Sequence, residues 1–270
     1  MGEADGPLAR PAIAQSLDAL SFELIEESED FASIAVISLA QDRRGFLWIG
    51  TRDGIYRYDG VRFREYRYGE GARHGLPDNW IEQLYADRSG RLWICLRRGI
   101  CWYDEALDRF VAPRLEGYEG AVKGIVENSG GDLVVLTESG GLFRYSEEED
   151  RLESVLRPDW GAAKSLLWDE RYGYIVGGTF GVRVLNESFE ETLAVDTSIA
   201  FGSAQYGFVA ALARTGESTL WIGTNRSGAW TLDLATGELE KVHSDRPEEA
   251  LVGSLFVDGQ ENVFVGSTAG

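Results

Sequence analysis

The chain has 270 residues, of which 44% are hydrophobic, 33 are glycine and 6 are proline, so it can bury a sizeable core and turn often. Acidic residues outnumber basic ones by 45 to 26, and a net charge of −19 repels phosphate backbones, which argues against nucleic acid as a partner. No stretch approaches the roughly 18 apolar residues of a membrane helix, so we expect no membrane span within this chain.

The chain opens with residues 1–20, which lack the apolar centre of a secretory signal and which we predict to be a disordered lead-in. Residues 21–27 alternate polar and apolar side chains, as a β-strand does. Next comes a unit of four short predicted strands, A to D, separated by turns rich in Gly and Asp: 36–40, 46–51, 55–58 and 63–68. Strand B of this unit is apolar on both faces, which indicates the middle of a packed sheet.

The same unit recurs along the chain with a period of about 43 residues. The Trp of its Trp-Ile-Gly triplet, or the residue that replaces it, falls at Trp48, Trp93, Val134, Val176, Trp221 and Phe264. The predicted repeats are 33–68, 78–114, 120–156, 160–195, 207–245 and 249–270. Four strands in a repeat of this length are typical of a β-propeller blade.

The sequence therefore predicts an all-β fold: a partial β-propeller over 21–270, built of four-stranded antiparallel blades, with five complete repeats and a truncated sixth. We expect these blades to belong to a seven-bladed ring, whose remaining parts lie in a longer natural chain or are supplied elsewhere. The strand at 21–27 is expected to complete the last blade. Residues 78–87 also show helical spacing of apolar side chains, but the aligned repeats favour a strand there.

Catalytic chemistry finds little support in the sequence. The two histidines, His74 and His243, have no metal-ligand spacing with Cys or with each other, and no phosphate-binding or dinucleotide-binding glycine pattern occurs. We therefore predict no catalytic residues, no metal and no cofactor. Asp42, Asp87 and Asp258 recur at the A–B turn, which indicates a structural role in holding that turn.

The aromatic and sulfur-containing residues are also interpreted mainly as structural. Trp48, Trp93 and Trp221 occupy one blade position, so we predict that they pack in the core. Cys95 and Cys101 flank the B–C turn of the second repeat, and simple hairpin counting places them opposite one another. Two alternatives stay open for this pair: a cross-strand disulfide or two buried free thiols.

A ligand face follows from the strand order. In an antiparallel blade the B–C turns and the D–A connections emerge at one end, and long connections on a rigid scaffold are where binding concentrates. Arg52 is one of several arginines on the B–C turns at this end, and planar guanidinium, amide and aromatic groups suit polar ligands. The predicted ligand-binding residues are His74, Asn79, Trp80, Arg97, Arg98, Trp160, Asn225 and Arg226.

The repeat resembles the two-component regulator propeller family, whose pattern is roughly V-x-x-I-x-x-D-x-x-G-x-L-W-I-G-T-x-x-G-L-x-x-Y-D. The first repeat matches it at Val36, Leu39, Asp42, Gly45, Leu47, Trp48, Ile49, Gly50, Thr51, Gly54, Ile55, Tyr58 and Asp59. The second and fifth repeats match well, whereas the third and fourth have Val134 and Val176 in place of Trp. The resemblance covers about residues 21–270.

The resemblance implies the periplasmic input region of a bacterial sensor histidine kinase, hybrid two-component sensor or diguanylate cyclase, with its output domains outside this chain. It implies a sensor that is not itself an enzyme and that binds a small polar ligand such as an oligosaccharide. One alternative is a protein-interaction or dimerisation propeller, including a homodimer, that binds no small molecule. Another is a propeller lyase or hydrolase, against which the scarcity of histidine argues.

Overall fold

A computed structural model describes residues 35–69, 75–115, 117–118, 120–196, 207–242 and 251–267. The described residues form six sheets and no helix, and the strands pair antiparallel except for one short strand added to the third sheet. The lead-in 1–20, the predicted strand at 21–27 and His74 lie outside them.

The first two blades each contain four strands in the order A-B-C-D. Blade 1 consists of β1 (Val36–Gln41), β2 (Leu47–Thr51), β3 (Ile55–Tyr58) and β4 (Phe63–Tyr66). Blade 2 consists of β5 (Ile81–Ala86), β6 (Leu92–Leu96), β7 (Gly99–Asp104) and β8 (Arg109–Val111). The strand reading of 78–87 is thus confirmed over the helical one.

Blade 3 carries an additional strand. The connection that leaves blade 2 forms β9 (Arg114–Leu115), which pairs in parallel with the outer strand of blade 3. The other strands of this blade are β10 (Val122–Glu127), β11 (Leu133–Thr137), β12 (Leu142–Ser146) and β13 (Arg151–Leu156). The sequence repeat did not predict β9, because it belongs to a connection and not to the repeated unit.

The remaining described strands complete two more blades and part of a sixth. Blade 4 consists of β14 (Ala163–Asp169), β15 (Gly173–Gly178), β16 (Gly181–Leu185) and β17 (Glu191–Val195). Blade 5 consists of β18 (Val209–Thr215), β19 (Thr219–Thr224), β20 (Ala229–Asp233) and β21 (Leu239–Lys241). Blade 6 is described as β22 (Val252–Val257) paired with β23 (Val263–Ser267). The all-β propeller prediction is confirmed.

The A strands of successive blades contact one another, so they line the axis of the array. Each A strand has a β-bulge at its second residue, where the pairing with strand B shifts register: Ile37, Glu82, Lys123, Lys164, Ala210 and Gly253 occupy the bulged position. Because a bulge redirects one side chain out of the alternating pattern, these six residues share an orientation relative to the axis. Close approach of neighbouring blades explains the glycine of the Trp-Ile-Gly triplet, since a Cβ on Gly50 would lie 2.6 Å from Ile81 Cγ2.

The A–B turn and the Trp that recurs in strand B are joined by hydrogen bonds, which explains their fixed spacing in the repeat. In blade 1, Asp42 Oδ1 accepts hydrogen bonds from the backbone of Arg44 and Phe46, and Oδ2 accepts the indole N–H of Trp48 at 2.7 Å. In blade 5 the hydroxyl oxygen of Thr215 accepts the indole N–H of Trp221 at 3.0 Å. The structural roles predicted for these turn and Trp residues are confirmed.

Four hydrophobic clusters lie between successive blades, from blade 1 to blade 5. The indole of Trp48 from blade 1 packs 4.7 Å from the ring of Tyr103 in blade 2, and Tyr103 donates to Asp108 at 2.6 Å. The next junction repeats this contact: the ring of Trp93 lies 4.8 Å from Tyr145, which donates to Asp150 at 2.9 Å. Large aromatic side chains therefore hold the blades side by side.

The faces that inner blades bury are exposed at both ends of the described array. Leu39 in the first A strand is 58% exposed, whereas Leu84 at the same position of blade 2 is 4% exposed. Phe264 is 40% exposed, whereas its equivalent Trp93 is fully buried. Each end thus presents an apolar surface of the kind that inner blades use to pack against a neighbour.

Candidate functional site

The B–C turns and the D–A connections lie at the same end of the blades, as predicted from the strand order. The backbone N–H of Gly54, in the first B–C turn, donates to the carbonyl of Asn79 at 2.8 Å, and Gly99 N–H donates to Gly120 at 2.9 Å. Each bond joins a B–C turn to the connection that enters the next blade. We call this end of the array the B–C face.

The segment Asn79–Trp80 is held in place by the blades on both sides. Besides the bond from Gly54, the carbonyl of Trp80 accepts from the backbone N–H of Arg97 at 3.0 Å. The side-chain oxygen of Asn79 accepts the backbone N–H of Tyr68 at 2.6 Å. These bonds fix the backbone on which the Trp80 ring is mounted, so the ring stands at the junction of blades 1 and 2.

Trp80 carries two arginines on its indole ring. The guanidinium carbon of Arg52, from the B–C turn of blade 1, lies 4.9 Å from the ring centroid, and that of Arg97, from the B–C turn of blade 2, lies 5.0 Å from it. Both arginines are exposed, and Trp80 is half-buried. We call these three residues the Arg–Trp–Arg stack. Cation–π contact holds the two guanidinium groups in place while their N–H donors stay available.

Neither guanidinium of the stack has a carboxylate partner among the described residues, although carboxylates lie nearby. Asp53, next to Arg52, forms its ion pair with Arg67 at 3.2 Å. Glu82, two residues after Trp80, pairs with Lys123 at 2.7 Å. These two carboxylates are therefore paired with other cations, whereas Asp78 has no cation partner among the described residues and accepts the backbone N–H of Trp80 at 3.1 Å.

A chain of ion pairs runs beside the stack, across blades 2, 3 and 4. Lys123 lies 2.7 Å from Glu82 and 3.5 Å from Glu138, and Lys164 lies 3.0 Å from Glu138. Burial raises the pKa of Glu138, but the hydrogen bonds and positive charges of Lys164 and Lys123 outweigh burial and hold this pKa below its ordinary value. The two lysines and two glutamates of this chain balance each other's charge, whereas the Arg–Trp–Arg stack contains two positive charges and no carboxylate.

Three of the four members of this chain occupy the bulged position of their A strands, and the fourth, Glu138, is the first residue after strand B. The sequence analysis missed all four. The signal was the second residue of each repeated A strand, where Glu82, Lys123 and Lys164 interrupt an otherwise apolar strand start. Reading that signal required knowing that the strands carry a bulge.

The structure brings together part of the predicted ligand set. Asn79, Trp80 and Arg97 lie at the blade 1–2 junction, with Arg98 next in the same turn and exposed. Arg52 was placed on this face by the sequence but was not in the predicted set, and it contacts the ring of Trp80.

The other predicted residues lie along the same face at different junctions. Trp160 packs on Phe180 with ring centroids 5.4 Å apart. Asn225 accepts the backbone N–H of Phe208 through its side-chain oxygen at 2.7 Å, and Arg226 is exposed on the same turn. Asn79 and Asn225 thus each use their amide oxygen to anchor backbone. His74 lies outside the described residues.

Of the two alternatives for Cys95 and Cys101, the structure has the second: both residues are buried free thiols. The hairpin pairs Cys95 with Ile100 and Cys101 with Ile94, one residue away from the register that hairpin counting gave. The two sulfurs therefore point to opposite faces of blade 2, where Cys101 joins the cluster with blade 1 and Cys95 joins the cluster with blade 3. Burial raises the pKa of both thiols.

A surface depression of about 500 Å³ lies at the opposite end of the array, among the A–B and C–D turns of blade 4. Its lining includes the aromatic rings of Trp168 and Tyr172 and the polar side chains of Asn186 and Glu187. The sequence analysis predicted no site there. In the part of the chain that the structure describes, no helix is long and apolar enough to span a membrane.

Comparison with known proteins gives a family match and a fold match. Residues 30–53 and 75–98 match the family model described as "Two component regulator propeller". No curated protein matches the chain.

The solved structures similar to this chain include two extracellular domains from B. thetaiotaomicron. That of the putative one component system BT4673 is 19% identical with a TM-score of 0.54, and that of the putative hybrid two component system BT3049 is 18% identical with a TM-score of 0.51. Each match covers 87% of this chain and 39% of that chain, so the chain spans well under half the length of these neighbours.

The computationally designed Ika8 protein is also similar, at 17% identity and a TM-score of 0.60, and the match covers 87% of this chain and 68% of that one. At these identities the structural matches support the fold alone. The family model, in contrast, matches the sequence of two repeats. The first segment that the family model matches contains the A–B turn of blade 1, which the hydrogen bonds from Phe46 and Trp48 to Asp42 hold in place. The two matched segments, at the start of blades 1 and 2, are similar to two-component regulator propeller repeats, as their sequence pattern predicts.

Proposed function

We propose that this chain is the ligand-sensing input region of a bacterial signal-transduction protein, that it is not catalytic in itself, and that it binds a small polar ligand on the B–C face. The observation that carries the proposal is the Arg–Trp–Arg stack, Arg52, Trp80 and Arg97, at the junction of two blades. A ligand bound there contacts both blades at once, and a contact shared by two rigid blades is suited to reporting occupancy.

The family match supports an extracytoplasmic location and downstream signalling domains in the full-length protein, and these remain part of the proposal. The extracellular origin of the BT4673 and BT3049 domains agrees with it. An oligosaccharide is the ligand class that we propose, because guanidinium and amide donors beside an aromatic ring suit hydroxyl-rich molecules.

The test is a thermal-unfolding screen of the full 270-residue chain against a panel of neutral and acidic oligosaccharides. A ligand that binds only the folded state at 100 times its Kd adds about 2.7 kcal/mol of stability, which gives a readily measured rise in Tm. We expect at least one oligosaccharide to raise Tm, and we expect Trp80→Ala to remove that rise. A panel without any stabilising member contradicts the proposal.

A second candidate function is a protein-interaction or dimerisation propeller. The observation that favours it is the exposed apolar surface at each end of the array, represented by Leu39 and Phe264. Sedimentation velocity over a range of concentrations separates the two candidates. A reversible dimer that no oligosaccharide perturbs supports the interaction role, whereas a monomer stabilised by an oligosaccharide supports the sensing role.

A further inference from the structure

We infer that the Arg–Trp–Arg stack selects an acidic oligosaccharide, one whose sugar carries a carboxylate, over a neutral oligosaccharide. This inference rests on the proposed function and names the ligand class of the same site. The chemistry is that of two fixed guanidinium groups, which recognise carboxylates through paired, charge-assisted hydrogen bonds.

The geometry brings two full positive charges to one place. Each guanidinium carbon lies within 5.0 Å of the same indole centroid, so the carbons of Arg52 and Arg97 are at most about 10 Å apart. Like charges at this distance repel each other, and an anion bound to either guanidinium reduces that repulsion. A neutral sugar offers hydroxyl groups to the same donors but gives no such relief.

The guanidinium N–H donors of the stack have no partner among the residues that the structure describes. No hydrogen bond or ion pair joins either guanidinium to another described residue, whereas other arginines of this region are paired, as Arg67 is with Asp53 and Glu65. The contrast with the neighbouring ion-pair chain is direct, because Lys123 and Lys164 there meet Glu82 and Glu138. The protein neutralises the cations of one cluster and leaves those of the other open to a ligand.

The backbone around the stack is fixed before a ligand arrives. Trp80 receives a bond from the turn of its own blade, and Asn79 receives one from the turn of blade 1. The indole then limits the freedom of two long side chains that are otherwise flexible. A preorganised pair of guanidiniums loses less entropy on binding than two free ones, which favours an anionic ligand with few contacts elsewhere.

The experiment is calorimetric titration of the full chain with oligosaccharides of equal length, one set built of uronic acids, one set sulfated and one set neutral. We expect the uronic acids to bind more tightly than their neutral counterparts and expect their affinity to fall as salt rises. Arg52→Gln and Arg97→Gln should each weaken uronic-acid binding about tenfold, because a hydrogen bond to a charged group is worth roughly that factor.

The matched control is the double variant Arg62→Gln, Arg171→Gln, which removes the same two charges from exposed turns at the opposite end of the blades. It should bind the uronic acids as the wild-type chain does. If the control loses as much affinity for the uronic acids as the variants of the stack do, the inference is overturned, because net charge alone then explains the binding. Tighter binding of the sulfated set than of the uronic acids overturns the choice of a carboxylate.

The inference and the proposed function fail in different ways. Neutral oligosaccharides that bind as tightly as the uronic acids overturn the acidic-ligand inference and leave the sensor proposal standing. Failure of every oligosaccharide to bind the wild-type chain overturns both. Circular dichroism of each variant confirms that the blades remain folded, because both arginines are exposed and their removal leaves no buried group unpaired.

Discussion

The carboxylate of Asp87 holds a turn and a buried indole at once, so its removal should cost more than the loss of an ordinary turn residue. Oδ1 accepts the backbone N–H of Arg91 at 2.9 Å and the hydroxyl of Ser89 at 2.6 Å. Oδ2 accepts the indole N–H of Trp93 at 2.8 Å. Trp93 is fully buried and Asp87 is 8% exposed, so water has little access to replace the lost acceptor.

The expected effect of Asp87→Ala follows from these three bonds. The two bonds within the turn contribute about 1 kcal/mol each, and an indole N–H left buried without an acceptor costs about 1–3 kcal/mol more. We expect the free energy of unfolding to fall by about 3–5 kcal/mol. Asp258→Ala is the matched control, because Asp258 accepts backbone N–H groups of Gln260 and Asn262 in the equivalent turn but has no indole partner. The free energy of unfolding should fall distinctly less in Asp258→Ala than in Asp87→Ala.

The assay is equilibrium unfolding in urea followed by circular dichroism, with Trp93→Phe added to form a double-mutant cycle. Trp93→Phe removes the indole N–H, so Asp87→Ala should cost at least about 1 kcal/mol less in that background than in the wild-type chain. Equal losses for Asp87→Ala and Asp258→Ala would refute the reasoning, and so would strict additivity of Asp87→Ala with Trp93→Phe.

Three further predictions concern other parts of the blades. Burial raises the pKa of the Cys95 and Cys101 thiols, so we expect both to resist maleimide labelling until the chain is unfolded, and we expect no mass change on reduction. Burial and the bond to a carboxylate raise the pKa of Tyr145 from 10.0 to about 12, so folding stability should fall as pH rises from 10 to 12, and Tyr145→Phe should reduce that fall in urea titrations. Gly173→Ala should prevent or severely weaken folding, because φ is +88° and the new Cβ would lie 2.1 Å from a backbone carbonyl oxygen. Gly216→Ala, at φ +56° with no atom within 4 Å, should lower Tm only slightly.

The fold was accessible from the sequence because each of its determinants is local and repeated. The A–B turn of blade 1 needs only Asp42 and a Trp six residues later, and both residues lie within one repeat. Thr215 shows how far the pattern can change, since its hydroxyl replaces the carboxylate as acceptor for Trp221. Six copies of such a unit in register outweighed the helical spacing at 78–87.

The pairing of the cysteines was not accessible, because it depends on register. A shift of one residue in a hairpin moves a side chain to the other face of the sheet. Counting across the turn placed Cys95 and Cys101 opposite each other, whereas Cys95 actually pairs with Ile100. No residue type in this turn identifies the register in advance, so the sequence left the disulfide and the free thiols as alternatives.

The candidate site was accessible only in part, for a different reason. The strand order correctly placed Trp80 and Arg97 at one end of the blades, because that needs only the alternation of antiparallel strands. The contact of Arg52 with Trp80 joins the turn of one blade to the entry of the next, so it depends on how two blades pack. The ion pair between Glu82 and Lys123 likewise depends on the bulges of two neighbouring A strands.

One repeated position explains why the candidate site lies at the junction of blades 1 and 2. The first residue after strand B is Arg52 in blade 1, Arg97 in blade 2 and Glu138 in blade 3, and in blades 2 and 3 its backbone N–H bonds to the residue before strand A. The scaffold therefore holds this position alike from blade to blade, and the side chain alone determines its use. Glu138 pairs with two lysines and completes a structural ion-pair chain, whereas within the described residues the arginines of blades 1 and 2 contact the ring of Trp80 and form no ion pair. Because the same backbone can support either outcome, the unpaired arginines are a property of these particular residues and not of the blade, which is the pattern expected of a binding site placed on a repeated scaffold.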